Sequence, residues 1–388
     1  MPTNRRNFLK AAGALTAAAA VLNPAEIFAK TFGTKINKSK KMQLSFIPYT
    51  AQLRHVFRIS HNARTSTPIV LTRITYDGYT GYGEASMPPY LGESQASVLA
   101  YLKRVDLGQF SSPFEMEDII SYLDGITTHN TAAKASVDIA LHDLAGKIIG
   151  QPWWKIWGFD ASKCPNTSYT IGLAEENVVK QKTEEAAPYK VIKVKLGMGE
   201  KTDKMMINTI RSVTDKVICV DINQGWKDKH YALDMINWLK ERNVNMIEQP
   251  MPVDMVDETA WLTENSPLPI IADESCQRLD DILKLKGVFS GINIKLMKCT
   301  GLFEARKMVT LAETLHMMLM VGCMTETSCA VSAAAQIAPR VQWADLDGNL
   351  LIANDCFSGM KIVNGKVTLT DKPGIGITKT DKNINFEA

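Results

Sequence analysis

The sequence predicts an α/β protein: a TIM-type (β/α)7β barrel preceded by an α+β capping domain. Three observations predict it. From about residue 166 onward, eight short apolar runs alternate with helix-length amphipathic segments, a rhythm that makes parallel βα units and, at eight strands, favours closure into a barrel over an open sheet. Before residue 160 the order differs, with strand-like stretches first and helical ones after. Charged residues also interrupt the apolar runs near their C-terminal ends, at a spacing close to one βα repeat, and that is the end of a barrel where active sites are built.

At the N-terminus Arg5, Arg6 and Lys10 precede an apolar, Ala-rich run from Ala11 to Leu22, with Glu26 the only nearby acid. This is a signal peptide's pattern. The run is shorter than the roughly twenty residues a bilayer span needs, so no stable membrane anchor is expected. The string NRRNFLK resembles the twin-arginine export motif, with Asn4 where Ser or Thr is usual. That resemblance implies export to the periplasm and a signal over residues 1–29, cleaved near Ala29.

Residues 42–160 read as the capping domain. Its strand-like part includes PIVLTRITYDGYTGYGEAS, in which Tyr76-Asp77-Gly78 supplies turn chemistry between β-branched and aromatic runs. A helix follows, carrying Val137, Ala140, Leu141, Leu144 and Ile148 on one face and closed by Gly150 and Pro152. Residues 161–358 form the barrel, through the runs TSYTI, VIKVKL, VICVDI, NMIEQP, IIADES, INIKL, MMLMVGC and VQWADL. Residues 359–388 hold a second strand pair around Asn364-Gly365 and are expected to pack back on the capping domain.

The chain carries 44 basic and 41 acidic residues, a formal net charge of +3 with no basic stripe, which excludes nucleic acid as a partner. Its seven cysteines are scattered singly, with no CxxC pair and no zinc spacing, so they are expected to pack as buried, unpaired thiols. Nothing in the sequence excludes a homo-oligomer.

Six charged residues sit where a buried strand should be apolar: Lys193 and Lys195 in VIKVKL, Asp221 in VICVDI, Glu248 in NMIEQP, Asp273 in IIADES and Lys295 in INIKL. The steps from Lys195 are 26, 27, 25 and 22 residues, so the side chains are expected at one end of consecutive strands. Any one carboxylate alone reads as a helix cap or surface ion pair. Asp221, Glu248 and Asp273 together offer only oxygen ligands, the set that suits a hard cation such as Mg²⁺. Lys193 and Lys195, two apart on one strand, share a face. Burial and a like charge would bring Lys195 toward the pKa a lysine base needs, with Lys193 as its electrostatic neighbour. Lys295, four strands on, lies across the barrel and is the expected second base. Lys298 competes for that role; on a continuous strand only one of the two could enter the barrel, and the period favours Lys295.

These residues resemble the enolase superfamily, specifically its muconate-lactonizing-enzyme subgroup and, within it, the dipeptide epimerases. The resemblance runs from about Met42 to Ile377. It matches the subgroup's KxK element at Lys193 and Lys195, its metal ligands at Asp221, Glu248 and Asp273, and its opposing lysine at Lys295. It implies one Mg²⁺ per site, a small dipeptide substrate and a two-base 1,1-proton transfer. The dipeptide epimerases carry an Asp-x-Asp near the eighth strand that receives the substrate's α-ammonium, matched here by Asp345 and Asp347 of ADLDGN. Relatives acting on Ala-Glu use an arginine in a capping-domain loop; Arg64 of SHNARTSTP is the nearby counterpart, in a loop that reads as shorter and with the arginine shifted. The expected substrates are Ala-Ala or Ala-Glu dipeptides from peptidoglycan. The alternatives are N-acylamino-acid racemisation, o-succinylbenzoate synthesis and muconate cycloisomerisation, none of which needs an ammonium receptor. A non-catalytic exported peptide-binding protein is a further alternative; it would be expected to have replaced a lysine or a metal ligand.

Overall fold

The structure is a computed structural model and describes residues 41–59, 62–87 and 89–387. The twin-arginine-like segment therefore lies outside the described residues. The chain opens with β1 (Gln43–Ile59), β2 (Asn62–Tyr76) and β3 (Tyr79–Ser86), an antiparallel sheet in that order. Asp77 and Gly78, both at positive φ (52° and 80°), close the β2–β3 hairpin where turn chemistry predicted it. Helices α1 (Gln95–Leu102), α2 (Met116–Ile126) and α3 (Thr131–Ile149) follow. α3 ends at Gly150, left-handed at φ 76°, as the sequence predicted. It lies so close to β3 that a methyl group at Gly83 would fall 1.9 Å from the Ser136 carbonyl oxygen, so glycine is needed there for approach rather than for conformation.

One expectation is corrected here. The segment SHNARTSTP was expected to be a loop, but from Asn62 onward it is strand: β1 and β2 form a long ribbon with an irregular register between Gln52 and Phe57. The alternation that marks a half-buried strand is missing in this polar stretch, so the sequence offered only its turn-like composition.

All eight predicted barrel strands form: β4 (Ser168–Ile171), β5 (Val191–Lys195), β6 (Val217–Asp221), β7 (Val244–Glu248), β8 (Ile270–Ala272), β9 (Gly291–Ile294), β10 (Met318–Gly322) and β11 (Trp343–Asp345). They are parallel neighbours in sequence order, and a bridge between Thr167 and Ala344 brings the first strand back to the last. The helices between them are α4 (Glu176–Glu185), α5 (Glu200–Arg211), α6 (Lys229–Lys240), α7 (Val256–Asn265), α8 (Asp281–Leu285), α9 (Leu302–Thr314) and α10 (Ser328–Ala335).

Alternation along each strand sorts the side chains into two sets. Residues such as Ile192, Val194, Ile218, Val220 and Ile292 join the main core, between strands and helices. The other set points to the barrel axis, where Cys219, Met246, Ile271 and Met320 form a separate apolar layer. One step further along the same strands the layer becomes polar, and the candidate site begins.

The C-terminal hairpin Lys361–Val363 with Lys366–Thr368 turns at Asn364 and Gly365, both at positive φ. It seals the start of β4, through Thr167 N–H to the Gly365 carbonyl (2.9 Å) and Val367 N–H to the Pro165 carbonyl (3.1 Å). Beyond it the chain reaches α3: the Ile375 N–H donates to Asp143 (3.2 Å), and Phe386 packs against Tyr82. All seven cysteines are unpaired and six of them are buried. Among the described residues no helix is long and apolar enough to cross a membrane.

Candidate active site

Register places the charged residues. Lys195 pairs with Asp221 and Asp221 with Glu248, so three strands end on one level. Asp273 and Lys295 come one residue past β8 and β9, a stagger that barrel closure imposes on tilted strands. Asp221, Glu248 and Asp273 are buried, and each offers an oxygen within 4.8 Å of the others. The backbone holds this cage through Gln249, left-handed at φ 37°: its side-chain oxygen accepts from the N–H groups of Asp273 (3.0 Å) and Ser275 (3.1 Å). Asn223, in the next turn, donates to Glu274 (3.2 Å).

Four lysines face these carboxylates. Lys195 donates to Asp221 Oδ2 (2.6 Å) and Lys295 to Asp273 Oδ2 (2.6 Å). Lys193 is buried among three acids, 2.6 Å from Glu248, 2.7 Å from Asp345 and 3.3 Å from Asp221. Lys298 reaches Asp273 Oδ1 (2.7 Å) and the carbonyl oxygens of Asp273 and Asn293. The expectation that only one of Lys295 and Lys298 could enter is thus corrected. β9 ends at Ile294 and the chain turns, with Lys298 N–H bonded to the Lys295 carbonyl, so strand alternation no longer separates them.

The electrostatics follow from this pairing. Burial works against the charged form of Lys193, but Asp345, Glu248 and Asp221 outweigh it and hold the ammonium well above the ordinary lysine value. Lys295 is likewise raised, burial being overcome by Asp273, Tyr90 and Glu248. Lys295, the expected second base, is thus held in its charged form by the anions that face it. Burial raises the carboxylates; for Asp221 and Asp273 the lysines reverse this and lower them, while Glu248 stays raised, with Asp221 beside it. Among the described residues Glu248 Oε2 is buried with no hydrogen-bond partner of good geometry, although Lys193 stands close. An all-carboxylate cage with a buried, underused oxygen fits a hard divalent cation.

The two aspartates at the end of β11 and just past it divide their work. Asp345 is saturated, by Lys193 (2.7 Å), Ser168 (2.7 Å) and Thr170 (3.3 Å), and despite burial its pKa is lowered to about 2. Asp347 accepts from the Thr170 N–H (2.8 Å) and, among the described residues, sits in no ion pair shorter than 4 Å; burial and Asp345 raise it to about 7. Both stitch the seam between β4 and β11, a structural role that accompanies any binding role.

Arg64 lies in β2, opposite Phe57 in the ribbon; its side chain lies outside the described residues. Sequence reasoning did not single out Ser168, Thr170, Asn293, Tyr90 or Glu326. Tyr90 enters from the capping domain and is close enough to Lys295 to raise its pKa. Glu326, in the loop after β10, is raised to about 8, by burial and then by Glu84. Only Asn293 carried a signal, a polar residue two positions before Lys295 on the inward face.

Residues 43–158 match the mandelate racemase / muconate lactonizing enzyme N-terminal domain, and 174–383 the enolase C-terminal domain-like family. Residues 2–21 match the twin-arginine translocation pathway signal sequence. The chain is 57% identical over 382 residues to an L-Ala-D/L-Glu epimerase of Bacteroides thetaiotaomicron, covering 97% of this chain and 99% of that one. Among solved structures it resembles an N-succinyl Arg/Lys racemase from Bacillus cereus (29% identity, TM-score 0.82, 88% of this chain and 96% of that one). It also resembles a dipeptide epimerase from Cytophaga hutchinsonii complexed with Mg and D-Ala-L-Val (26% identity, TM-score 0.81, 88% and 96%). The capping sheet, the closed eight-stranded barrel and these matches over nearly the whole chain lead to one conclusion: this is an isomerase of the mandelate racemase / muconate lactonizing enzyme family, in the enolase superfamily.

Proposed function

We propose that the chain is an exported, Mg²⁺-dependent dipeptide epimerase that inverts the C-terminal residue of small dipeptides such as Ala-Glu and Ala-Ala. The observation that carries this reading is the pair Lys195 and Lys295, four strands apart, each held on a different carboxylate of one cage. Asp221, Glu248 and Asp273 would hold the ion, which when bound would supply positive charge to offset the negative charge that builds up on a substrate carboxylate as the α-proton leaves. Lys195 removes or returns that proton on one face and Lys295 on the other. Lys193 keeps Asp345 ionised and fixed, and Asp347, with no ion-pair partner of its own within 4 Å among the described residues, receives the substrate ammonium.

The Bacteroides relative's name supports glutamate as the inverted residue, and Arg64 would take its side-chain carboxylate. The twin-arginine match supports a periplasmic setting, where peptidoglycan fragments supply such dipeptides. The test compares kcat/KM for Ala-Glu, Ala-Ala and N-acetyl-Ala-Glu, in the wild type and in Arg64→Ala. Free dipeptides should turn over and the N-acetyl compound should not; Arg64→Ala should lower the Ala-Glu value about 10-fold or more and spare Ala-Ala, a lost charge-assisted pair costing roughly 1.5–3 kcal/mol. Equal turnover of the N-acetyl compound would replace this reading with an N-acyl racemase; the Bacillus cereus structure is named as an N-succinyl Arg/Lys racemase.

A further inference from the structure

We propose that Asn293 is a positioning residue that ties the metal-ligand carboxylate Glu248 to the second base, Lys295. The inference rests on the proposed two-base reading and deepens it. Asn293 lies on β9, points to the barrel axis two residues before Lys295, and is fully buried. Its Nδ2 donates to Glu248 Oε1 at 2.7 Å, while Lys193 stands 2.6 Å from Oε2. Glu248 is therefore hydrogen-bonded by a neutral donor at one oxygen and faced by a cation at the other.

The amide's orientation follows from chemistry. A carboxylate can only accept, so the nitrogen must face Glu248 and Oδ1 must point the other way. That oxygen is buried and has no hydrogen-bond partner among the described residues, a state that ordinarily costs about 1–3 kcal/mol. Its surroundings show what it faces. A methyl group at Gly322, the last residue of β10, would fall 2.8 Å from Asn293 Oδ1, 2.9 Å from Nδ2 and 3.0 Å from Lys295 Cε. The amide and the lysine stem thus lie side by side in space that glycine leaves open. Lys295 now rests on Asp273. Whenever Asp273 serves another cation, the nearby Oδ1 offers the ammonium an acceptor on the side of the barrel where it must work. One residue then sets both the aim of a metal ligand and the resting place of a base, an outer-shell role of the kind that typically governs metal affinity 10- to 100-fold.

The experiment uses substrate-free mature protein titrated calorimetrically with Mg²⁺, and deuterium exchange into each epimer of Ala-Glu. Asn293→Leu, close in volume but with neither donor nor acceptor, should raise the Mg²⁺ Kd 10- to 100-fold. It should also slow exchange of the epimer served by Lys295 at least 5-fold more than that of the epimer served by Lys195. Should the leucine variant fail to fold, Asn293→Ser, which keeps the site polar but cannot span to Glu248, carries the same expectation. A folded variant that binds Mg²⁺ within twofold of wild type and exchanges both epimers equally would overturn the proposal. Failure of the underlying reading is separately visible, since the wild type would then neither bind Mg²⁺ nor exchange either epimer.

Discussion

Asp347 is the residue whose ionisation should be visible in the kinetics. Burial and the adjacent Asp345 raise it to about 7, so in the free protein it is largely protonated at pH 6 and largely ionised at pH 8. Only the ionised form can pair with an ammonium, and kcat/KM for a free dipeptide should therefore rise with pH through about 7. It should fall again as the substrate amine itself loses its proton near pH 8. In Asp347→Asn the rising limb should vanish and kcat/KM drop about 100-fold, while Mg²⁺ affinity stays unchanged; a variant that keeps the acidic limb would place that titration elsewhere. At this scale the sequence disclosed which residue types were present but not how they pair. Strand spacing brought Lys195, Asp221 and Glu248 to one level, because period and register are local properties. It could not show that Asp345 is consumed by Lys193 and Ser168, contacts made across 152 and 177 residues of chain. Nor could it show that Lys298 joins Lys295 on Asp273, since the strand ends between Asn293 and the turn that carries both.

Among the elements, the junction between the capping sheet and α10 should be sensitive to pH. Glu84 on β3 accepts from the N–H groups of Thr327 (2.9 Å) and Ala330 (3.4 Å) and from the Thr327 hydroxyl, at the start of α10. Burial nevertheless raises Glu84 to about 7, and Glu326 beside it to about 8. A carboxyl whose folded value is raised binds more protons folded than unfolded, so stability is full at and below pH 4.5 and is lost as pH rises through 7 to 8. Glu84 alone is worth on the order of 3 kcal/mol over that interval. Thermal midpoints measured from pH 5 to 8.5 should fall by several degrees in the wild type and less in Glu84→Gln with Glu326→Gln; an unchanged slope would show that these groups do not carry it. The eight strands were legible because each is an apolar run bounded by turn residues. The β1–β2 ribbon was not, because its distal part is polar and lacks alternation, so its strand state comes from pairing with its own partner arm.

For the whole molecule, the cage's carboxylates are paired by lysines before any metal binds. Four lysines face Asp221, Glu248, Asp273 and Asp345, so the cluster's formal charges balance and carboxylate repulsion is already met. Chelation should therefore abolish activity reversibly while leaving a folded protein, its stability lower by about 3 kcal/mol relative to protein held at 100 times the Mg²⁺ Kd; full activity in excess EDTA would remove the metal from the account. The barrel, its capping domain and the convergence of charge at one end were legible in the sequence, since they depend on a repeating period. The division of labour inside the site was not, since it depends on pairs that only the closed barrel brings together. The central claim is that two lysines on opposite faces share one proton transfer, and deuterium incorporation into each stereoisomer of Ala-Glu measures it most directly. Lys195→Ala should lose exchange from one epimer and keep it from the other, and Lys295→Ala should show the reverse. Loss of exchange from the same epimer in both variants, or survival of both exchanges in Lys295→Ala with loss in Lys298→Ala, would contradict it.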